Sequence, residues 1–94
     1  MDRVVLVIAE SRATYRSFLL DLEHHYPDAE RRPNQQLLID GHLFKYIGSY
    51  AMAHGYPQGT EYMVVGRAHK RHDFIDLMML CRAYHLLPCP IRGW

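Results

Sequence analysis

The residues best suited to chemistry form one basic stretch, Arg67-Ala68-His69-Lys70-Arg71-His72, placed directly ahead of Asp73. Arginine and lysine side chains in close succession are what a phosphate group needs, because charge-assisted hydrogen bonds to its oxygens are the strong ones. Ser11 and Arg12 supply a second group. They follow an apolar run at the start of the chain, where a serine caps a helix and leaves backbone amides facing an anion. Ser11, Arg12, Arg67, His69, Lys70, Arg71 and His72 thus make a candidate phosphate or nucleic-acid site, with Arg16 as a further cation. The competing reading of the 67–72 stretch is a solvated connector whose charges keep a very apolar segment in solution.

Other chemistries find less support in the residues. The turn Glu10-Ser11-Arg12-Ala13-Thr14 has neither a glycine-rich loop nor a Gly-Lys-Ser/Thr sequence, so the backbone has no means of wrapping a nucleotide phosphate. A dinucleotide fingerprint is missing for the same reason, and no cofactor is expected. The seven histidines contain no His-Glu-x-x-His, and no Cys-x-x-Cys accompanies them. His69 and His72 are close in sequence, but the two cations between them would repel a divalent ion, so no metal is expected. Cys81 and His85 fall four apart on an expected helix. A thiol midway along an apolar helix is poorly accessible and its pKa rises, which reads as packing rather than nucleophilic catalysis. A pocket joining Glu10, His42 and His69 would be the mark of an enzyme; without one, no catalytic residue is assigned.

These groups must be positioned by a small set of elements. Residues 3–9 hold the continuous apolar run Val4–Ala9, rich in β-branched side chains, the pattern of a strand covered on both faces. Ser11 then opens a helix over about 11–26 in which Tyr15, Phe18, Leu19, Leu22 and Tyr26 form one stripe, and Pro27 closes it. Residues 27–36 read as a polar connector. Leu37-Leu38-Ile39 and His42 to Ile47 flank Asp40-Gly41, a hairpin signal, with one continuous strand as the alternative. A short helix is expected near 49–54, and Glu61 to Gly66 reads as a second buried strand. Asp73 can cap a helix over about 74–87 that is apolar almost all round. In so small a domain one side of such a helix is expected to meet another chain, through Ile75, Met78, Met79 and Tyr84. Strands separated by helices predict a three-layer, Rossmann-like α/β domain with a mostly parallel sheet of three to four strands. In such sheets ligands collect beyond the carboxyl ends of the strands. If the strands at 3–9 and 61–66 run parallel, Ser11-Arg12 and the 67–72 loop share that edge.

Composition sets the outer bounds. Ninety-four residues, 49% of them hydrophobic, suit one α/β domain over 1–94 rather than a disordered chain. A net charge of +1 announces neither nucleic acid nor a membrane surface, so any basic site must be local. No apolar run approaches the roughly 20 residues needed to span a bilayer, and the six-residue run at Val4–Ala9 is too short for a signal-peptide core. No membrane partner is expected, and the reading is a cytoplasmic protein. The two cysteines, Cys81 and Cys89, are expected as free thiols.

Tyr46-Ile47-Gly48-Ser49, His54-Gly55-Tyr56, and Tyr62-Met63-Val64-Val65-Gly66 running into Arg71-His72-Asp73-Phe74 give a pattern that resembles short bacteriophage-encoded accessory proteins. These have a Rossmann-like or stripped-down helicase-like outline. The resemblance implies a viral accessory protein acting in the host cytoplasm by binding something, and it transfers no catalytic residue. The leading expectation is therefore a non-enzymatic interaction protein that binds a host protein or self-assembles. The alternative is a nucleic-acid or phosphate-binding module built on the 67–72 loop.

Overall fold

The computed structural model describes residues 3–94. The first apolar run forms strand β1 (Arg3–Ile8). Val5, Val7 and Ala9 enter one buried cluster, whereas Leu6 and Ile8 enter another on the opposite side of the sheet. Both faces are covered, which is why hydrophobicity along β1 is continuous rather than alternating.

Helix α1 (Arg12–His25) covers the first face with Tyr15, Phe18, Leu19 and Leu22. Its start is capped as the sequence predicts, the Thr14 amide donating to Ser11 Oγ at 3.2 Å. The second face is covered by helix α2 (Phe74–Leu80), with Leu77 and the following Cys81 buried against Leu6 and Ile8.

The sheet departs from the expected one. It has six strands, β2 (Glu30–Arg32), β3 (Gln36–Ile39), β4 (His42–Tyr46), β5 (Glu61–Val64) and β6 (His85–Leu86) joining β1 in the order β2-β3-β4-β1-β5-β6. β4, β1, β5 and β6 pair in parallel, but β2-β3 and β3-β4 are antiparallel. The mostly parallel, three- to four-stranded Rossmann-like sheet is thus replaced by a mixed sheet with an antiparallel edge. Two local causes account for the difference. Asp40 (φ 48°) and Gly41 (φ 78°) both take the left-handed conformation, and Ile39 pairs with His42 across them in a two-residue hairpin. β2 has no buried residue at all, so its Glu-Arg-Arg sequence carries none of the apolar signal by which strands are recognised.

The helix expected over 74–87 also ends early. After Leu80 comes a 3-10 turn at Cys81–Ala83, and then β6, whose His85 amide donates to the Thr60 carbonyl at 2.8 Å. The Leu87 amide likewise donates to the Tyr62 carbonyl at 2.8 Å. Pro88 disfavours helical geometry at Leu87, and pairing satisfies the outer edge of β5. The apolar residues of 74–94 therefore serve two layers. Leu77 and Cys81 face the α2 side, while Leu87, Cys89, Ile91 and Trp94 return across the α1 side. There Trp94 sets its ring edge-on to Phe18 at 5.5 Å and donates Nε1–H to Asp21 at 2.8 Å.

Candidate functional site

β1 and β5 lie side by side and parallel, so the segments after them, Glu10-Ser11-Arg12 and Gly66 to His72, meet at one edge of the sheet. That edge is filled by the protein's own side chains. Arg71, expected as a phosphate ligand, is only 6% exposed along its side chain. Its Nε and Nη2 donate to the two carboxylate oxygens of Asp73 at 2.8 and 2.9 Å. Its Nη1 donates to the carbonyls of Ala9 and Ile47, which directly follow β1 and β4. The guanidinium therefore ties two strand ends to the entry of α2. Asp73 precedes α2 but gives its carboxylate to Arg71 instead of capping. The Arg71 hydrogen bonds hold that carboxyl below the usual carboxylate range although burial opposes the shift.

Glu10 closes the other half of the edge. Burial works against its charge, yet the Thr14 hydroxyl and the Arg67 backbone amide hold the Glu10 carboxyl below its ordinary range. The amide bond is short, 2.5 Å from Arg67 N to Oε2. It requires Gly66, whose φ of 61° belongs to the left-handed region and whose missing Cβ would stand 2.8 Å from Glu10 Oε1. A carboxylate of the chain thus occupies the backbone donor that a phosphate would have sought.

The remaining basic residues separate. Arg67, His69, Lys70 and His72 are exposed. Arg12 turns elsewhere, over the Tyr46 ring at 5.1 Å, and donates Nη1–H to Gln35 Oε1 at 2.9 Å. Ser11 spends its hydroxyl on Thr14. The structure thus leaves a four-residue exposed basic loop and a separate Arg12 site, rather than one seven-residue pocket.

The four candidate interface residues also divide. Ile75 is 73% exposed and Met79, one turn further along α2, is 58% exposed. Met78 and Tyr84 turn inward onto the Leu6–Ile8 cluster. Tyr84 donates its hydroxyl to the Ala53 carbonyl at 2.8 Å, which anchors the 3-10 turn at Tyr50–Ala53.

The trio that would have marked an enzyme does not converge. Glu10 follows the end of β1, but His42 pairs in register with Arg3 at its start. There His42 and Arg3 face the buried Glu61 carboxylate, at 3.8 and 3.0 Å. Cys81 and His85 do not share a helix, since one lies in the 3-10 turn and the other in β6. Burial pushes the Cys81 thiol up to about 11. Both cysteines are free. Among the described residues, no group of three or more His, Cys, Asp or Glu is placed to hold a metal ion, and no helix is long and apolar enough to cross a membrane.

The sequence reading missed Glu10 as the internal anion and the turn around Asn34 and Gln35. Gly66 after a buried strand was the available signal for the first, because glycine there permits both the left-handed turn and the close carboxylate. For the second, Asn34 was a partial signal, since asparagine is enriched in the left-handed backbone, but Gln35 is not a usual choice for it and gave none. No protein-family model matches the chain, and neither a curated protein nor a solved structure does.

Proposed function

We propose that this chain is a non-enzymatic binding domain that docks a larger protein through the outward side of α2. The observation that carries the reading is the pair Ile75 and Met79, two large apolar side chains one helical turn apart and both more than half exposed. Fully burying such a side chain contributes about 1.5–3 kcal/mol. Two together are worth engaging only if a partner pocket receives them.

The sheet edges offer poorer docking. β2 presents Glu30, Arg31 and Arg32, all exposed, and β6 is two residues long and followed by Pro88. Charges, short length and proline are the features that discourage strand addition. Self-association through α2 would set one short convex helix against its copy. Seven residues, about 10 Å, supply little of the roughly 800 Å² per partner that a specific interface buries, whereas a concave partner can also cover the residues that flank the helix. The two side chains instead fit an anchor entering a groove on another protein. The resemblance to phage accessory proteins would make that protein a host component. Binding rather than catalysis is supported by the fate of the reactive groups, since Cys81, Glu10, Arg71 and Asp73 are all engaged in holding the fold.

Light scattering should give a monomer at every accessible concentration. Immobilised wild-type protein should retain from its native cell a species that Ile75→Glu/Met79→Glu does not. A stable homodimer, or equal retention by the variant, would overturn the reading.

The exposed set Arg67, His69, Lys70 and His72 favours a second reading, contact with a nucleic-acid backbone. Such contacts release counterions, so binding would weaken steeply with salt and would fail in Arg67→Glu/Lys70→Glu.

A further inference from the structure

Beside the closed edge lies an open cleft. It has a volume of about 640 Å³, within the roughly 300–1,000 Å³ usual for small-molecule sites. Arg12, Gln35, Lys45, Tyr46, Met52 and Tyr56 give it its chemistry. It differs in kind from three other depressions of the surface, which are each about 310 Å³ or smaller and include Glu23, Glu61 or Asp40 in their walls. Here two cations line the wall and no carboxylate does.

The wall is held in place at a conformational cost. Asn34 (φ 62°) and Gln35 (φ 56°) are both left-handed without being glycine. The cost falls mainly on Gln35, at about 1–2 kcal/mol, since asparagine visits this region readily, and Gln35 stays there only where surrounding contacts impose it. The contacts are present. The buried Tyr15 hydroxyl donates to the Gln35 carbonyl at 2.6 Å, and the Arg12 guanidinium donates to the Gln35 side chain. Arg12 is itself braced on Tyr46, which leans on Tyr15 with 5.0 Å between ring centroids. The turn, a cation and an amide are thereby linked to one another before any ligand arrives, through an exposed Arg12–Gln35 bond and a part-buried Tyr15 anchor, so less ordering remains to oppose binding.

The geometry points to this cleft as a binding site for a small anion carrying a flat ring, of the nucleoside monophosphate class. Arg12 retains N–H groups beyond the one given to Gln35 and supplies donors for a phosphate, while Lys45, in register with Leu6 and so on the α2 side of the sheet, adds its positive charge from the opposite wall of the cleft. Tyr56 and Met52 offer apolar, polarisable surface for the ring. Gln35 and Gln36 carry both donors and acceptors, the equipment needed to read polar ring edges. The site uses neither the α2 face nor the 67–72 loop, so it stands or falls independently of the docking proposal.

The test is amide NMR on the full chain titrated with AMP, GMP, CMP and UMP, each to about 5 mM, enough to populate a site of millimolar affinity. At least one nucleotide should shift the signals of Arg12, Gln35, Lys45 and Tyr46 saturably, and the matching nucleoside without phosphate should bind at least about tenfold more weakly. Arg12→Gln and Lys45→Gln should each weaken binding about tenfold or more, as expected for losing a charge-assisted hydrogen bond. Lys45→Gln removes no hydrogen bond seen among the described residues, so it stays informative if Arg12→Gln unsettles the turn. No shift with any of the four nucleotides, shifts confined to Arg67–His72, or inorganic phosphate binding as well as every nucleotide would overturn the assignment.

Discussion

Replacing Arg71 by methionine should be among the most damaging single substitutions in this protein. The change keeps much of the side-chain volume but removes four hydrogen bonds, two to Asp73 and one each to the Ala9 and Ile47 carbonyls. Breaking a buried ion pair by deleting one partner costs about 3–5 kcal/mol, chiefly because the other charge stays behind in a poorly solvated place. A domain of this size has roughly 5–14 kcal/mol in total, and each kcal/mol moves Tm by about 4–8 °C, so a fall of roughly 12–40 °C is expected. The exposed pair Arg31–Glu23 is just as short at 2.8 Å, yet Arg31→Met should cost under about 1 kcal/mol, since water screens it.

The sign of the pH dependence provides a second check on Arg71. Asp73 has a depressed pKa in the folded protein, so its stabilisation is complete above the unfolded value near 4 and is lost as pH falls through the folded value. In Arg71→Met the buried carboxyl has lost its cation, its pKa rises, and acid relieves rather than worsens the defect. Urea unfolding should therefore show the gap between wild type and variant narrowing from about pH 7 to about pH 3. Should the variant lose less than about 1 kcal/mol, or the gap stay constant across that range, the clamp is not structural. If Arg71→Met does not fold at all, Asp73→Asn, which removes the stranded charge, should partly restore folding in the double variant.

Further outcomes follow from the same contacts. Gly66→Ala should cost about 2 kcal/mol or more in denaturant unfolding, because the left-handed backbone penalises a side chain and the new Cβ would stand 2.7 Å from Thr14 Cγ2. Trp94→Ala should lower stability by about 2–4 kcal/mol in the same assay, through loss of the Phe18 contact and the bond to Asp21, and an unchanged midpoint would mean the tail does not hold α1. In the native protein at mildly alkaline pH a maleimide should label Cys89 and spare Cys81, which is buried with its thiol pushed up to about 11; denaturant should expose both. Ile75→Glu/Met79→Glu should leave Tm unchanged within a few degrees, because neither side chain enters the core.

Much of the architecture is legible where one element faces one environment. The capped helix α1, the doubly buried β1 and the Asp40-Gly41 turn each carry a complete local signal, of spacing, continuity or backbone preference. The sequence misleads where one apolar stretch serves two environments. From Phe74 to Leu87 the hydrophobic residues look like a single buried helix, but Leu77 and Leu87 belong to opposite faces of the sheet, and Pro88 is the cue that the chain is extended there. β2 escapes for the opposite reason, since its three charged residues bury nothing and only pairing with β3 makes them a strand. The basic loop is legible as composition but not as function. Whether an arginine meets a ligand or a buried aspartate two residues away depends on the tertiary position of Ala9 and Ile47, which no local pattern encodes. The Arg12 cleft depends likewise on the β2–β3 turn at Asn34-Gln35, which is set by the pairing of Arg32 with Gln36 and by the Tyr15 hydroxyl at the Gln35 carbonyl.

The docking proposal is tested most directly by placing a photo-cross-linking amino acid at position 75 in the native cell, with position 28, an exposed aspartate far along the chain, as control. One discrete adduct, much heavier than two copies of the 11.1 kDa chain, is expected from position 75, and none from position 28. No adduct from position 75, the same adducts from both sites, or a product of twice the chain mass would contradict it.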